Sequence, residues 1–175
     1  MTFALSRTSL ARGFTLIEMM TSIAVLAVIL GTAAPSLAGL VRSSKMRAAQ
    51  SELVAALMLA RSEAAKRGVT VSVGASAPTA GSEFSAGWTV WIDANADGVV
   101  DSSETLIRSY PDISSAVILG TTGNVTRVSF APTGFLTPAA VATFKVCGKS
   151  DSAKGYTVAL QPVGLADISD QATCP

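Results

Sequence analysis

The sequence has no histidine, only two cysteines, few aromatic residues (6%) and few charged ones (14%), and each scarcity removes a class of function. Without histidine, the commonest general base and metal ligand is missing. The plentiful serines and threonines have nothing to activate one of them as a nucleophile, and no Gly-x-Ser-x-Gly elbow is present. Lys145, Lys149 and Lys154 read as solvated strand or loop residues, not as catalytic bases. Two thiols without an imidazole make half a zinc site at best. Nor is there an excess of charge of one sign. The chain carries 13 basic and 12 acidic residues, and setting aside Arg7, Arg12 and Glu18 leaves 11 of each from Arg42 onward. A general nucleic-acid binder would show a basic surplus, so that class is disfavoured too.

What the chain has in quantity is apolar surface: 49% of its 175 residues are hydrophobic and the mean hydropathy is +0.47. From Phe14 to Val41 the run holds a single charge, Glu18, and it exceeds the ~20 residues that an α-helix needs to cross a bilayer. A carboxylate one helical turn inside such a run needs a partner or a proton. Arg7 and Arg12 precede the run, which places the N-terminus on the cytoplasmic side and the chain beyond the run outside. These parts are those of a secretory signal peptide in the wrong order, because the small residue Gly13 stands before the apolar stretch instead of after it. A cut after Gly13 would remove the basic leader and leave a new α-amino group on Phe14. That amine and the Glu18 carboxylate would each lower the other's cost of burial.

After Pro35 the pattern becomes amphipathic. Met46, Ala49, Leu53, Ala56, Leu57, Ala60 and Ala64 recur at helical spacing, with Arg47, Glu52, Arg61 and Lys66 mostly off that stripe. The helix is expected to continue to Arg67-Gly68, where the cations suit its negative end and the glycine suits a left-handed cap. Phe14 to Arg67 would then form a rod about 80 Å long, the alternative being two helices broken at Pro35 or Gly39. Beyond Gly68 the signals are β: Val69–Val73, Trp88–Ile92, Thr105–Tyr110, Ala116–Leu119, Val125–Phe130, Val141–Val146 and Tyr156–Leu160, separated by Gly, Pro, Asn and Asp clusters. Trp88 and Trp91 fall on opposite faces of one strand, so at most one is expected in the core. The expectation is an α+β fold, a long helix with a membrane-spanning half and an amphipathic half packed on an antiparallel β domain. Its segments are 1–13, 14–41, 42–67 and 68–175. Cys147 and Cys174 fall in the exported part, where a disulfide is expected and would contribute on the order of 3.5 kcal/mol by closing its loop.

Gly13-Phe14-Thr15-Leu16-Ile17-Glu18 resembles the processing motif of type IV pilins and type II secretion pseudopilins. Further along, Gly87 to Arg108, Val128 to Gly134 and Phe144 to Cys147 resemble the minor subunits of the GspH/FimT family, so that the likeness spans nearly the whole chain. The resemblance implies that a prepilin peptidase cuts between Gly13 and Phe14 and methylates the Phe14 amine, and that Glu18 pairs with the Phe14 amine of a neighbouring subunit. It implies a low-copy structural subunit that helps to initiate or cap a type IV pilus or type II secretion pseudopilus. The implied partners are other major and minor pilins or pseudopilins, an inner-membrane assembly platform and the lipid bilayer. The implied location is the bacterial inner membrane, with the C-terminal domain periplasmic, and then the filament.

Two other readings arise from the same residues. Asp93, Asn95, Asp97, Val99, Asp101 and Glu104, with Gly98 at the sharp turn, fit the twelve-residue calcium-loop pattern in full. Strands instead of helices flank the loop, however, and Asp, Asn and Gly are equally what a tight turn requires. The turn is the preferred reading; otherwise no cofactor is expected. FimT-like relatives take part in DNA uptake through C-terminal arginines, but no arginine follows Gly164 here. From Asp112 to Pro175, Arg127, Lys145, Lys149 and Lys154 are balanced by Asp112, Asp151, Asp167 and Asp170. Little counterion release is then available to drive phosphate binding, and a DNA-binding pilin is the alternative to the assembly subunit.

Overall fold

The computed structural model describes residues 13–149, 151–170 and 174, and only the backbone of residues 32–36 and 151–154. Of the expected leader, Gly13 alone is among them. One helix, α1, runs Leu16–Arg67 without interruption at Pro35 or Gly39. It stops where the sequence supplies a stop signal: Lys66 and Arg67 occupy the last turn, and Gly68 takes φ +68° while its N–H donates to the Ala64 carbonyl.

The chain divides into two compact units, Met1–Gly39 and Leu40–Pro175. In the first, Phe14 (85% exposed) and the described part of α1 hold their large apolar side chains in the open, from Leu16, Ile17 and Met20 to Leu30 and Leu37. Among the described residues no helix is long and apolar enough to cross a membrane; residues 32–36, in the middle of the run, lie outside that description of side chains.

In the second unit, every member of the expected helical stripe from Met46 to Ala64 is buried, at 4% exposure or less. It packs on two four-stranded antiparallel sheets. The strands are β1 Val71–Ala75, β2 Trp88–Ile92, β3 Thr105–Tyr110, β4 Val117–Thr121, β5 Arg127–Phe130, β6 Ala142–Gly148, β7 Asp151–Leu160 and β8 Ala166–Ser169. One sheet has the order β3-β2-β1-β5 and the other β4-β6-β7-β8. Val71, Val73, Trp88, Val90 and Phe130 from the first sheet join Leu119, Phe144, Val146, Val158 and Leu160 from the second in a single core with the helix. Trp88 stacks on Tyr110 with ring centroids 5.2 Å apart, and Phe84 meets Phe144 edge to face at the same distance.

Two details of the strands differ from expectation. The seventh strand begins at Asp151, not Tyr156, and an eighth, Ala166–Ser169, adds to it, because hydrogen-bonding to a neighbour extends a strand past the apolar alternation that marks it. Trp91 is also buried, at 2% exposure against 0% for Trp88, but of the two only Trp88 joins the core cluster, as their opposite faces implied. Gly74, directly beneath the Trp91 ring, leaves room for it: a Cβ there would lie 2.8 Å from that ring. On the outer face of the sheet Trp91 lines a cavity together with Val99 and Val100 of the loop that follows β2.

Glu83 is 1% exposed yet charged, because its carboxylate caps backbone. Oε1 accepts from the Gly81 N–H and Oε2 from the Thr121 N–H, both at 2.8 Å. Burial pushes this carboxyl up, but the bonds from its own amide, Gly81 and Thr121 outweigh burial and hold it below the ordinary 4.5. A group whose folded pKa is depressed contributes stability above its unfolded pKa and loses it as pH falls through the folded one. Urea unfolding between pH 7 and pH 3 should therefore show the wild-type domain weakening from the low fours downward. Glu83→Gln should start less stable and fall less steeply there, and equal slopes for the two would remove Glu83 from the acid response.

Candidate functional site

The N-terminal motif is laid out as a helix start. Thr15 precedes α1, and both its N–H and its hydroxyl donate to Glu18 Oε2 at 2.8 Å, while the Glu18 N–H donates back to Thr15 Oγ at 3.3 Å. This is a capping box, with Thr15 as the cap and Glu18 three residues on. The Glu18 carbonyl in turn accepts from the hydroxyls of Thr21 and Ser22. The carboxylate that needs a partner in an apolar run thus finds one at its own helix start, one residue from Phe14. This role of Thr15 is absent from the expectations above, although the Thr-x-x-Glu spacing is the signal that would have found it. Gly13 and Phe14 stand exposed just ahead, and no other described part of the protein comes within 4 Å of where a Gly13 Cβ would lie.

The acidic loop between β2 and β3 is held by its own side chains. Asp97 Oδ1 accepts from the Val99 N–H and its Oδ2 from Asn95 Nδ2; Asp101 accepts from the Ser103 N–H; Glu104 Oε1 accepts from the Ala94 N–H at 3.0 Å, closing the loop across ten residues. The Ser103 hydroxyl and amide hold the Asp101 carboxyl below its ordinary value. Asp93 is drawn out of this set: it is buried at 1% exposure, and its Oδ2 accepts from Ser72 Oγ at 2.7 Å, which also bonds Ser129 Oγ. Its Oδ1 is buried without a partner among the described residues. Arg127, which no sequence signal connects to the loop, clamps it from β5: its Nη1 donates to the Asp97 carbonyl at 2.9 Å, and its guanidinium fills the space that a Cβ on Gly98 (φ +71°) would need. Among the described residues no three acidic, thiol or imidazole groups are placed to hold a metal ion. In this arrangement Asp97, Asp101 and Glu104 are bonded within the loop and Asp93 is bonded to Ser72. The first three do what a tight turn requires, spending carboxylates on amides.

Cys147 and Cys174 are joined by a disulfide with Cα atoms 5.8 Å apart, which fastens residue 174 to β6. On the helix, Arg47 donates from Nε to the Tyr156 hydroxyl at 3.0 Å, a bond that raises the Arg47 pKa and links α1 to β7 within the same unit.

Two kinds of comparison bear on this arrangement. The family model of the type II transport protein GspH matches residues 49–164, from the buried helical stripe through β7. This chain belongs to the GspH family. A second model, the prokaryotic N-terminal methylation motif, matches residues 8–34 and so brackets Gly13, Phe14 and Glu18. Solved structures share the GspH-family fold. The type IV minor pilin FimU of Pseudomonas aeruginosa superposes with a TM-score of 0.57 at 22% identity, over 75% of this chain and 91% of that one, and a second crystal form gives 0.58. The minor pseudopilin EpsH of Vibrio cholerae gives 0.52 at 12% identity, over 72% and 97%. No curated protein matches the chain. The GspH family is one of pilin-like structural subunits, and the helix-on-sheet architecture is the pilin-like α+β fold that the sequence implied.

Proposed function

We propose that this protein is a minor subunit that helps to initiate or cap a type IV pilus or a type II secretion pseudopilus. The observation that carries the proposal is the joining of a GspH-type domain to an N-terminal methylation motif on one helix, whose apolar half is exposed in the isolated chain. Such a surface is stable only in lipid or against other apolar helices. In this reading a prepilin peptidase cuts between Gly13 and Phe14 and methylates the new amine. The apolar half anchors the chain in the inner membrane with the C-terminal domain on the periplasmic side. An assembly platform then moves the subunit into the filament, where Glu18 sets register against a terminal amine. Nothing in the described part of the domain favours DNA capture over this role.

Deletion of the gene with complementation is the test. In a piliated host, sheared surface pili should disappear on deletion and return with the gene; in a host with only type II secretion, exported enzyme should be lost and restored in the same way. Pili and secretion that both persist would remove the initiating role.

A further inference from the structure

A β-sheet edge presents unpaired N–H and C=O groups, and proteins cover, shorten or charge their edges to prevent unwanted pairing. The two sheets have four edges between them, and three are closed by identifiable devices. The outer side of β4 is covered by residues 83–85: Phe84 N–H donates to the Leu119 carbonyl, Leu119 N–H to Ser85 Oγ, and Thr121 N–H to Glu83 Oε2. The outer side of β5 is covered by the returning chain, with Thr137 N–H on the Ser129 carbonyl and a bridge from Phe130 to Leu136. The edge at β8 is four residues long, carries Asp167 and is followed by Asp170.

The fourth edge, β3, is covered by no other segment among the described residues, although it carries one charge, is followed by Pro111, and shifts register against β2 between Val90 and Trp91. It is six residues long, with no proline and no acidic residue inside it, and among the described residues its backbone pairs with β2 alone. Its one charge, Arg108, lies over the Tyr110 ring at 4.8 Å and has no carboxylate partner among the described residues. Beside the edge, Leu106 (55% exposed) stands with Val99 and Val100 from the loop around a cavity of about 610 Å3 that Trp91 also lines. An uncovered ladder with an exposed apolar side chain beside it is the arrangement that takes up an added strand: the backbone supplies affinity and the side chains beside it select what faces them.

We propose that the free edge of β3 receives an extended strand from a different subunit of the filament, one with apolar residues facing Leu106 and Val99 and an acidic residue opposite Arg108. The proposal rests on the subunit role given above. A strand is the occupant because only another backbone satisfies a row of alternating donors and acceptors, and an acid is specified because an opposite-charge cross-strand pair is favourable. Pairing of β3 with β3 of a second copy is a poorer arrangement, since β3 has no acid of its own to set against Arg108.

The test uses the full-length chain in cells, with the photo-crosslinker p-benzoylphenylalanine placed at Ser109 on β3, or at Ile168 on β8 as the control edge. Sheared-filament and membrane fractions are collected, and adducts are mapped by mass spectrometry. The expected result is an adduct from Ser109 to an extended segment of another protein with a pilin-type N-terminal motif, little or none from Ile168, and a fall of at least about tenfold in the Ser109 adduct with Leu106→Lys, an exposed substitution that should leave thermal unfolding unchanged. An adduct to a second copy of this chain, equal yields from both edges, or no Ser109 adduct from a chain that does enter the filament would overturn the strand pairing while leaving the subunit role intact. A chain found in no filament or tip fraction at all would overturn both.

Discussion

Glu18→Ala should leave the Leu40–Pro175 unit folded, with the same thermal midpoint as wild type, and lower the amount of the protein in sheared filament fractions by at least about tenfold. The two effects separate because Glu18 lies in the Met1–Gly39 unit and, among the described residues, bonds with Thr15, Thr21 and Ser22 of that same unit. Its carboxylate has two tasks that substitutions can distinguish. It caps the helix start by accepting from Thr15, and a glutamine side-chain carbonyl can do the same. In the proposed function it also offers a negative charge to the Phe14 amine of a neighbouring subunit, which glutamine cannot. Glu18→Gln should therefore keep the helix start and still lose incorporation, whereas Thr15→Val should keep the charge, weaken the cap, and lower incorporation less. If Glu18→Gln assembles normally, the charge is dispensable and register is set by apolar packing alone. Immunoblots of sheared and membrane fractions, normalised to total protein, read all three variants.

The largest effect on stability is expected at Trp88. It is fully buried, stacked on Tyr110 and central to the core beneath the helix, so Trp88→Ala should cost about 3–5 kcal/mol through lost burial and a residual cavity. That is a large fraction of the roughly 5–15 kcal/mol that holds a domain of this size. Trp88→Phe is the informative companion. The Trp88 Nε1–H is buried without a hydrogen-bond partner among the described residues, so phenylalanine loses volume but no polar bond, and removes a donor whose desolvation was uncompensated. It should cost no more than about 1.5 kcal/mol. Urea midpoints for the two variants check this. A phenylalanine as damaging as alanine would mean that the indole N–H is satisfied in solution, for instance by a buried water.

The helix was legible from end to end because its signals are local and redundant. The stripe from Met46 to Ala64 repeats at helical spacing, Lys66 and Arg67 suit the last turn, and Gly68 takes the left-handed conformation that ends it. Most strands were legible from alternation within a residue or two of their ends. The eighth was not, because Ala166–Ser169 has almost no apolar pattern and is a strand only by pairing with β7. The acidic loop shows the limit for sites. Six residues at the right spacing satisfied a ligand pattern, yet Asp93 is turned out of the set by Ser72, 21 residues away, and the loop is clamped at the Asp97 carbonyl by Arg127, 30 residues away.

The amino-acid order alone was enough to establish the division into an apolar helical half, an amphipathic half and a β domain, along with the cleavage motif, the cysteine pair and the family resemblance. Each of these is written in composition, in short-range periodicity or in contiguous residues. Tertiary contacts decided the rest: that both tryptophans are buried, that Glu83 is a charged plug on β4, that Asp93 is drawn to Ser72, and that β3 is left as an open edge. Those outcomes depend on which strands become neighbours, and pairing partners are chosen by the shared core and by backbone hydrogen bonds between distant segments, neither of which leaves a mark in any local stretch of the chain.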